Sequence, residues 1–314
     1  MSERNPSELE DQPLVPSEGA TRLEMTHERR EQLRLEGSLR SMQARARVEK
    51  FITRCLSGFI YVAIVLACLF LGTRMTALLM AVISWMCASE LMHIMRLAGR
   101  TPNEFIGLGA AAAFPLANLL PSYYTALVWV VMVAAVALWY IGIPKINILD
   151  VAVTIFVPLY TGLMLSSLVR IRLFDPGWRG GLLALAAFGC IWANDSLAFV
   201  VGSALGRHKM APRISPKKSW EGFAGGMVGS VLVWLVVYLL PICDISLPIC
   251  LLTGVVQGAA GVLGDLFESR IKRGVGIKDS GTIMPCHGGL LDRSDSLIFG
   301  GLAAELILII GGIL

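Results

Sequence analysis

Chemistry-bearing side chains fall in three short stretches of otherwise apolar sequence. Asn194 and Asp195 stand inside IWANDSLAFVVG, Asp265 and Glu268 inside GVLGDLFESRIKR, and Asp292 and Asp295 inside GGLLDRSDSLIFGG. Ionisable groups are expensive in hydrocarbon, so those embedded in apolar runs are candidates for function. Converging segment ends would bring together carboxylates and an amide, the oxygen ligands that a hard cation such as Mg²⁺ prefers. Cysteine and histidine are sparse around them, which argues against a soft-metal site. Asp292 and Asp295 are three residues apart and share a face if a helix begins there, and that helix start would favour anions.

Phosphate-binding chemistry surrounds these acids. Residues 206–222 read GRHKMAPRISPKKSWEG, and residues 265–293 read DLFESRIKRGVGIKDSGTIMPCHGGLLDR. Lysine and arginine neutralise phosphate oxygens, arginine through two parallel bonds. Gly274, Gly276, Gly281, Gly288 and Gly289 allow backbone N–H groups to approach a ligand closely. The GVGIKDSG run is neither a Walker A loop nor a dinucleotide fingerprint, because no strand precedes it. Glu90 and Glu305 lie within other apolar runs and read as paired structural charges. His27, His93 and His208 carry no evident chemistry, and Asp279 either binds ligand or pairs with Lys278.

The elements that must position these groups follow from composition. Of the 314 residues 55% are hydrophobic and 16% charged, against roughly 25% charged in soluble domains. Residues 1–50 hold nine of the 27 basic and ten of the 23 acidic residues, leaving 31 charges for the remaining 264 residues. So few charges cannot cover a soluble surface, so residues 51–314 read as a polytopic transmembrane domain behind a polar tail, 1–50. The tail has no signal-peptide pattern. Its first 22 residues have a disordered composition, and residues 23–50 suit a surface helix. The seven cysteines form no C-x-x-C pair and read as small buried hydrophobes. Net charge is +4, and no nucleic-acid patch stands out.

A span needs roughly 20 apolar residues, which gives an all-α bundle of about nine spans. They are read at 55–72, 75–96, 105–121, 123–143, 148–168, 181–203, 222–243, 247–264 and 294–314. An odd count puts the tail, 204–221 and 265–293 on one side. That side is the more basic, hence cytoplasmic. Gly225 with Gly229 and Gly254 with Gly258 let backbones approach closely. This spacing admits a homodimer but reads first as packing within the chain.

With these residues assembled, a family emerges. Ser269-Arg270-Ile271-Lys272-Arg273, Lys278-Asp279-Ser280-Gly281, Pro285-Cys286-His287-Gly288-Gly289 and Asp292-Arg293-Ser294-Asp295 resemble the signature of the phosphatidate cytidylyltransferases, or CDP-diacylglycerol synthases. Asn194–Phe199 and Ser215–Gly222 resemble the same family. The likeness covers residues 185–300, and Ser294 stands where that family usually has an apolar residue.

The resemblance implies CMP transfer from CTP to phosphatidate with Mg²⁺, giving CDP-diacylglycerol and pyrophosphate at the cytoplasmic face of the cell membrane. It implies Asp265, Asp292, Asp295 and Asp195 as metal ligands, with Lys272 and Arg293 beside them in the catalytic set. Asn194, Lys217, Lys218, Ser219, Arg273, Lys278, His287, Gly288 and Gly289 are implied as substrate-binding. The expected partners are CTP, phosphatidate and the lipid bilayer, with no nucleic acid. Two other functions suit residues of this kind: a polytopic transporter for an anionic metabolite, and another CTP-dependent membrane lipid kinase or cytidylyltransferase. A transporter would place its charges near the bilayer midplane, often in repeated broken helices, whereas here they gather at one mouth.

Overall fold

The computed structural model describes residue 53, residues 56–281 and residues 288–314. The tail 1–50 and the expected substrate residue His287, with Pro285 and Cys286, lie outside the described residues. Leu56–Leu314 form one compact unit.

Apolar runs become helices because only intra-segment hydrogen bonding satisfies the backbone in hydrocarbon. In chain order they are α1 (Leu56–Phe70), α2 (Thr73–Leu97), α3 (Glu104–Ala117), α4 (Tyr123–Gly142), α5 (Ile148–Pro158), α6 (Ser166–Arg172), α7 (Trp178–Leu205), α8 (Trp220–Leu239), α9 (Leu247–Gly274) and α10 (Leu291–Ile310). Helices α5 and α6 form one span, Ile148–Arg172, joined by a π-turn at Leu159–Leu163. That wide turn sits where Gly162 meets α3: a Cβ there would lie 2.7 Å from the Ala111 Cα. Among the described residues, six spans are long and apolar enough to cross a bilayer, while α1 and α3 are shorter apolar helices. Helix α10 carries Asp292, Arg293, Asp295 and Glu305. The architecture is the all-α membrane bundle that composition implied.

Large apolar side chains face outward, Phe105 at 94% and Ile141 at 77% exposure among them. Helix α4 buries only Met132 and Val136. Such a surface suits lipid rather than water.

Inside the bundle, the closest packing joins α7 to α8, α8 to α9 and α9 to α10. Glycine makes these approaches possible. A Cβ at Gly229 would come 2.8 Å from the Ala193 carbonyl, and one at Gly254 2.7 Å from the Val231 Cα. The small-residue spacing noted in the sequence therefore packs helices of the same chain. Trp234 donates to Gln257 Oε1 at 2.7 Å, and Gln257 donates to the Ala187 carbonyl at 2.7 Å, linking α7, α8 and α9. The groups are buried, so each bond removes a desolvation penalty of roughly 1–3 kcal/mol.

The largest differences from expectation lie in 204–221 and at the end of α9. Residues 204–221 are not simply a loop: Lys209–Ala211 (β1) and Ser215–Ser219 (β2) pair antiparallel. The Ile214 N–H donates to the Ala211 carbonyl at 3.1 Å, closing a turn with Pro212 in its second position, which proline's fixed φ favours. Helix α9 runs to Gly274, ten residues past the expected end at 264. Hydropathy stops there, but helical hydrogen bonding does not, and Glu268 and Lys272 pair across one turn.

Candidate active site

Helix α9 carries Asp265, Glu268 and Lys272 from the bilayer edge outward, and two different centres form along it. From Asp265 to Lys272 the rise is about 10 Å.

The first centre is a cavity of about 600 Å³. Asp195 lines it from α7, Lys217, Lys218 and Ser219 from the hairpin, and Asp265 from α9. Lys218 Nζ lies 2.8 Å from Asp265 Oδ2, both partly exposed, and Ser269 Oγ donates to Asp265 Oδ1 at 3.1 Å. Phe199, Phe223 and Val262 supply an apolar wall. The hairpin is fastened at its base by Glu221 in the first turn of α8. Its carboxylate accepts from the Arg207 and His208 N–H groups at 3.2 Å and lies 2.6 Å from His208 Nδ1. Ser219 caps α8, accepting from the Gly222 N–H at 3.2 Å.

The second centre is closed. Lys272, 7% exposed, reaches Glu268 Oε2 at 2.6 Å and Asp292 Oδ1 at 2.5 Å. The other oxygen of Asp292 accepts from the Ser280 N–H at 3.0 Å and the Gly289 N–H at 2.9 Å. Gly288 adopts φ +84°, and a Cβ there would sit 2.7 Å from that same oxygen. Beside this, the Asp295 backbone carbonyl packs on α9 at Gly264, where a Cβ would lie 2.4 Å away. That contact sets buried Asp295 next to the Asp265 segment, its Oδ1 accepting from the Ser296 N–H at 2.6 Å.

The expected site residues thus separate. Asp195, Lys217, Lys218, Ser219 and Asp265 meet at the cavity. Lys272, Asp292, Gly288 and Gly289 meet in the closed centre, where Lys272 is held between Glu268 and Asp292. Arg273, Lys278 and Arg293 are exposed; Arg273 turns back to donate to the Ile277 carbonyl at 2.9 Å. Asn194 is 1% exposed and does not line the cavity; its amide donates to the Gly258 carbonyl at 2.9 Å between α7 and α9. Missing from the sequence-derived set was Glu90, although its depth in an apolar run marked it as unusual.

Among the described residues, no three His, Cys, Asp or Glu side chains are grouped to hold an ion. Both oxygens of Asp292 already accept hydrogen bonds, and Asp295 is buried. What remains at the cavity, Asp195 and Asp265, fits Mg²⁺ nonetheless. That ion usually takes one or two protein carboxylates and completes its shell with substrate phosphates and water.

The fold and site define a multi-pass membrane protein whose cavity opposes carboxylates to lysines against an apolar wall. A model of the Cytidylyltransferase family matches residues 52–310, and the chain belongs to that family. It is 30% identical over 276 residues to the phosphatidate cytidylyltransferase of Synechocystis sp., covering 78% of this chain and 92% of the relative. It is 42% identical over 127 residues to that of Staphylococcus saprophyticus, and 40% identical over 141 residues to that of Bacillus subtilis. The chain spans about half the length of those two relatives, 49% and 52%.

Proposed function

We propose that the chain transfers CMP from CTP to phosphatidate, forming CDP-diacylglycerol and releasing pyrophosphate. The observation that carries this reading is the cavity in which Asp195 and Asp265 oppose Lys217 and Lys218 beside Phe199 and Phe223. A polyanionic nucleotide needs the cations, its metal needs the acids, and a diacyl lipid needs the apolar wall. The names of the relatives agree with this assignment.

The second pKa of a phosphate monoester is near 6, so phosphatidate is mostly dianionic at pH 7 and already nucleophilic. One of its phosphate oxygens attacks the α-phosphorus of CTP as the bond to the β-phosphate oxygen breaks. No proton has to be removed, so the aspartates serve charge and position rather than acid–base chemistry. Asp265 and Asp195 would hold Mg²⁺, which supplies neutralisation of the phosphate charge when bound. Lys218 exchanges Asp265 for phosphate oxygen, and Lys217 adds a second cation at the nucleotide end. Asp292 fixes the Lys272 ammonium beside the site, and Asp295 adds negative charge behind Asp265. The excess of lysine and arginine in 204–221 and 265–293 supports a cytoplasmic mouth in the cell membrane.

Membranes containing the chain, incubated with labelled CTP, Mg²⁺ and phosphatidate, are expected to form a labelled CDP-lipid. No such product, or undiminished product from Asp265→Asn, would overturn the assignment. Direct displacement predicts inversion at a chiral thiophosphate α-centre, and retention would point to an enzyme-bound nucleotide.

A further inference from the structure

The start of α10 has the character of an anion site, and a carboxylate of the chain itself occupies it. Glu90, on α2 and 5% exposed, accepts from the Leu290 N–H at 2.9 Å and the Leu291 N–H at 2.8 Å. It also accepts from Ser280 Oγ at 3.0 Å. Free N–H groups and the positive end of the helix dipole compensate a buried carboxylate. The N–H groups that would favour an anion at this helix start are taken up by an internal contact between residues 200 positions apart.

The surrounding sequence is shaped to admit that carboxylate. A Cβ on Gly281 would lie 2.7 Å from Glu90 Oε1, and one on Gly289 2.4 Å from Glu90 Oε2. Neither glycine has a positive φ; each is small because Glu90 fills its space. The Ser280 and Gly289 N–H groups beside it both donate to Asp292. Asp292 then binds Lys272. Glu90 therefore sits one step behind the closed centre and fixes the register of α10, which carries Asp292, Arg293 and Asp295.

We infer that Glu90 is a positioning residue for the reaction proposed above: by clamping the N-terminus of α10 to the Ser280–Gly281 strap it holds Asp292 and Asp295 in place against α9. The inference rests on that functional reading for its kinetic consequence but not for its structural one. Glutamine at this position keeps the volume and loses one acceptor, turning an amide donor toward an N–H or the Ser280 hydroxyl. Arg170 with Glu305 provides the control. It is another carboxylate contact of α10, with Arg170 Nη2 at 2.7 Å from Glu305 Oε2, yet it lies far along the helix from the strap.

The test compares Glu90→Gln and Glu305→Gln in the full chain reconstituted in lipid, by steady-state kinetics, thermal midpoint and hydrogen exchange. Glu90→Gln is expected to lower kcat at least about tenfold while KM for CTP stays within about threefold. Exchange in residues 288–296 is expected to rise about tenfold with other helices unchanged. Glu305→Gln is expected to lower the midpoint without that local change. A Glu90→Gln protein with kcat and local exchange within about twofold of the parent overturns the inference. So does one whose kcat and midpoint fall together, as in Glu305→Gln, with exchange rising across all helices. If the parent forms no CDP-lipid, the enzymatic reading fails, and the exchange pattern alone decides whether Glu90 positions α10. Should Glu90→Gln not accumulate, Ser280→Ala removes only the hydroxyl bond, and an effect of about threefold in the same two readouts takes its place.

Discussion

The two centres along α9 use the same residue types for opposite ends. At the cavity, Asp195, Asp265, Lys217 and Lys218 stand around open space, and the Lys218–Asp265 pair is partly exposed and exchangeable. At the start of α10, Lys272 is held between Glu268 and Asp292, while Asp292 and Glu90 each accept from backbone N–H groups. Charge at a membrane surface does not by itself mark a ligand site. Whether a charged group already has its partners inside the protein is what distinguishes the two.

The largest expected effect tests the open centre. Asp265→Asn should lower CDP-lipid formation by about a thousandfold or more, with chelation of Mg²⁺ matching it in the parent. Labelled-product assays in membranes check both. The closed centre should respond first in stability. Lys272→Met leaves Glu268 and Asp292 buried without their cation, a penalty of roughly 3–5 kcal/mol. Thermal unfolding in lipid should show a large drop, partly restored by adding Glu268→Gln. If instead Lys272→Met folds normally and only KM for CTP rises, Lys272 belongs with the open cavity and the distinction between the centres fails.

A smaller effect is expected for Lys218→Ala, whose partner is solvent-accessible. The thermal midpoint should barely move, because partly exposed ion pairs contribute about 0–1 kcal/mol. KM for CTP should rise about tenfold, more at high ionic strength, as read from initial rates over a salt series. The smallest change is expected from deleting residues 1–48, where turnover should stay within about twofold because the membrane body carries both centres.

Several features were legible from residues alone. The apolar runs produced helices, with α4 beginning at Tyr123 as expected and α3 ending at Ala117, short of the expected 121. Asp195 and Asp265, marked by charge within apolar runs, meet at one cavity with Lys217 and Lys218, which the family resemblance implied. The hairpin was not foreseen, although Pro212 between Ala211 and Ile214 was a turn signal within a basic stretch. The end of α9 was set too early because hydropathy reports the edge of the hydrocarbon and not the end of a helix. Asn194 and Lys272 were read as ligand-facing, and both are buried with internal partners. No local pattern separates a lysine aimed at phosphate from one held by Asp292, twenty residues on.

Composition and hydropathy alone determined that the body is a membrane bundle and that its charges concentrate in a few short segments. Both are sums over local residue properties, and solvation energy depends on those sums. Only the tertiary structure decided which of the gathered charges are free to meet a ligand. That outcome depends on partners brought from elsewhere in the chain, as Glu90 is brought to Leu290 and Leu291 across 200 residues. A buried charge is fixed by whichever donors reach it, and the local sequence does not record them.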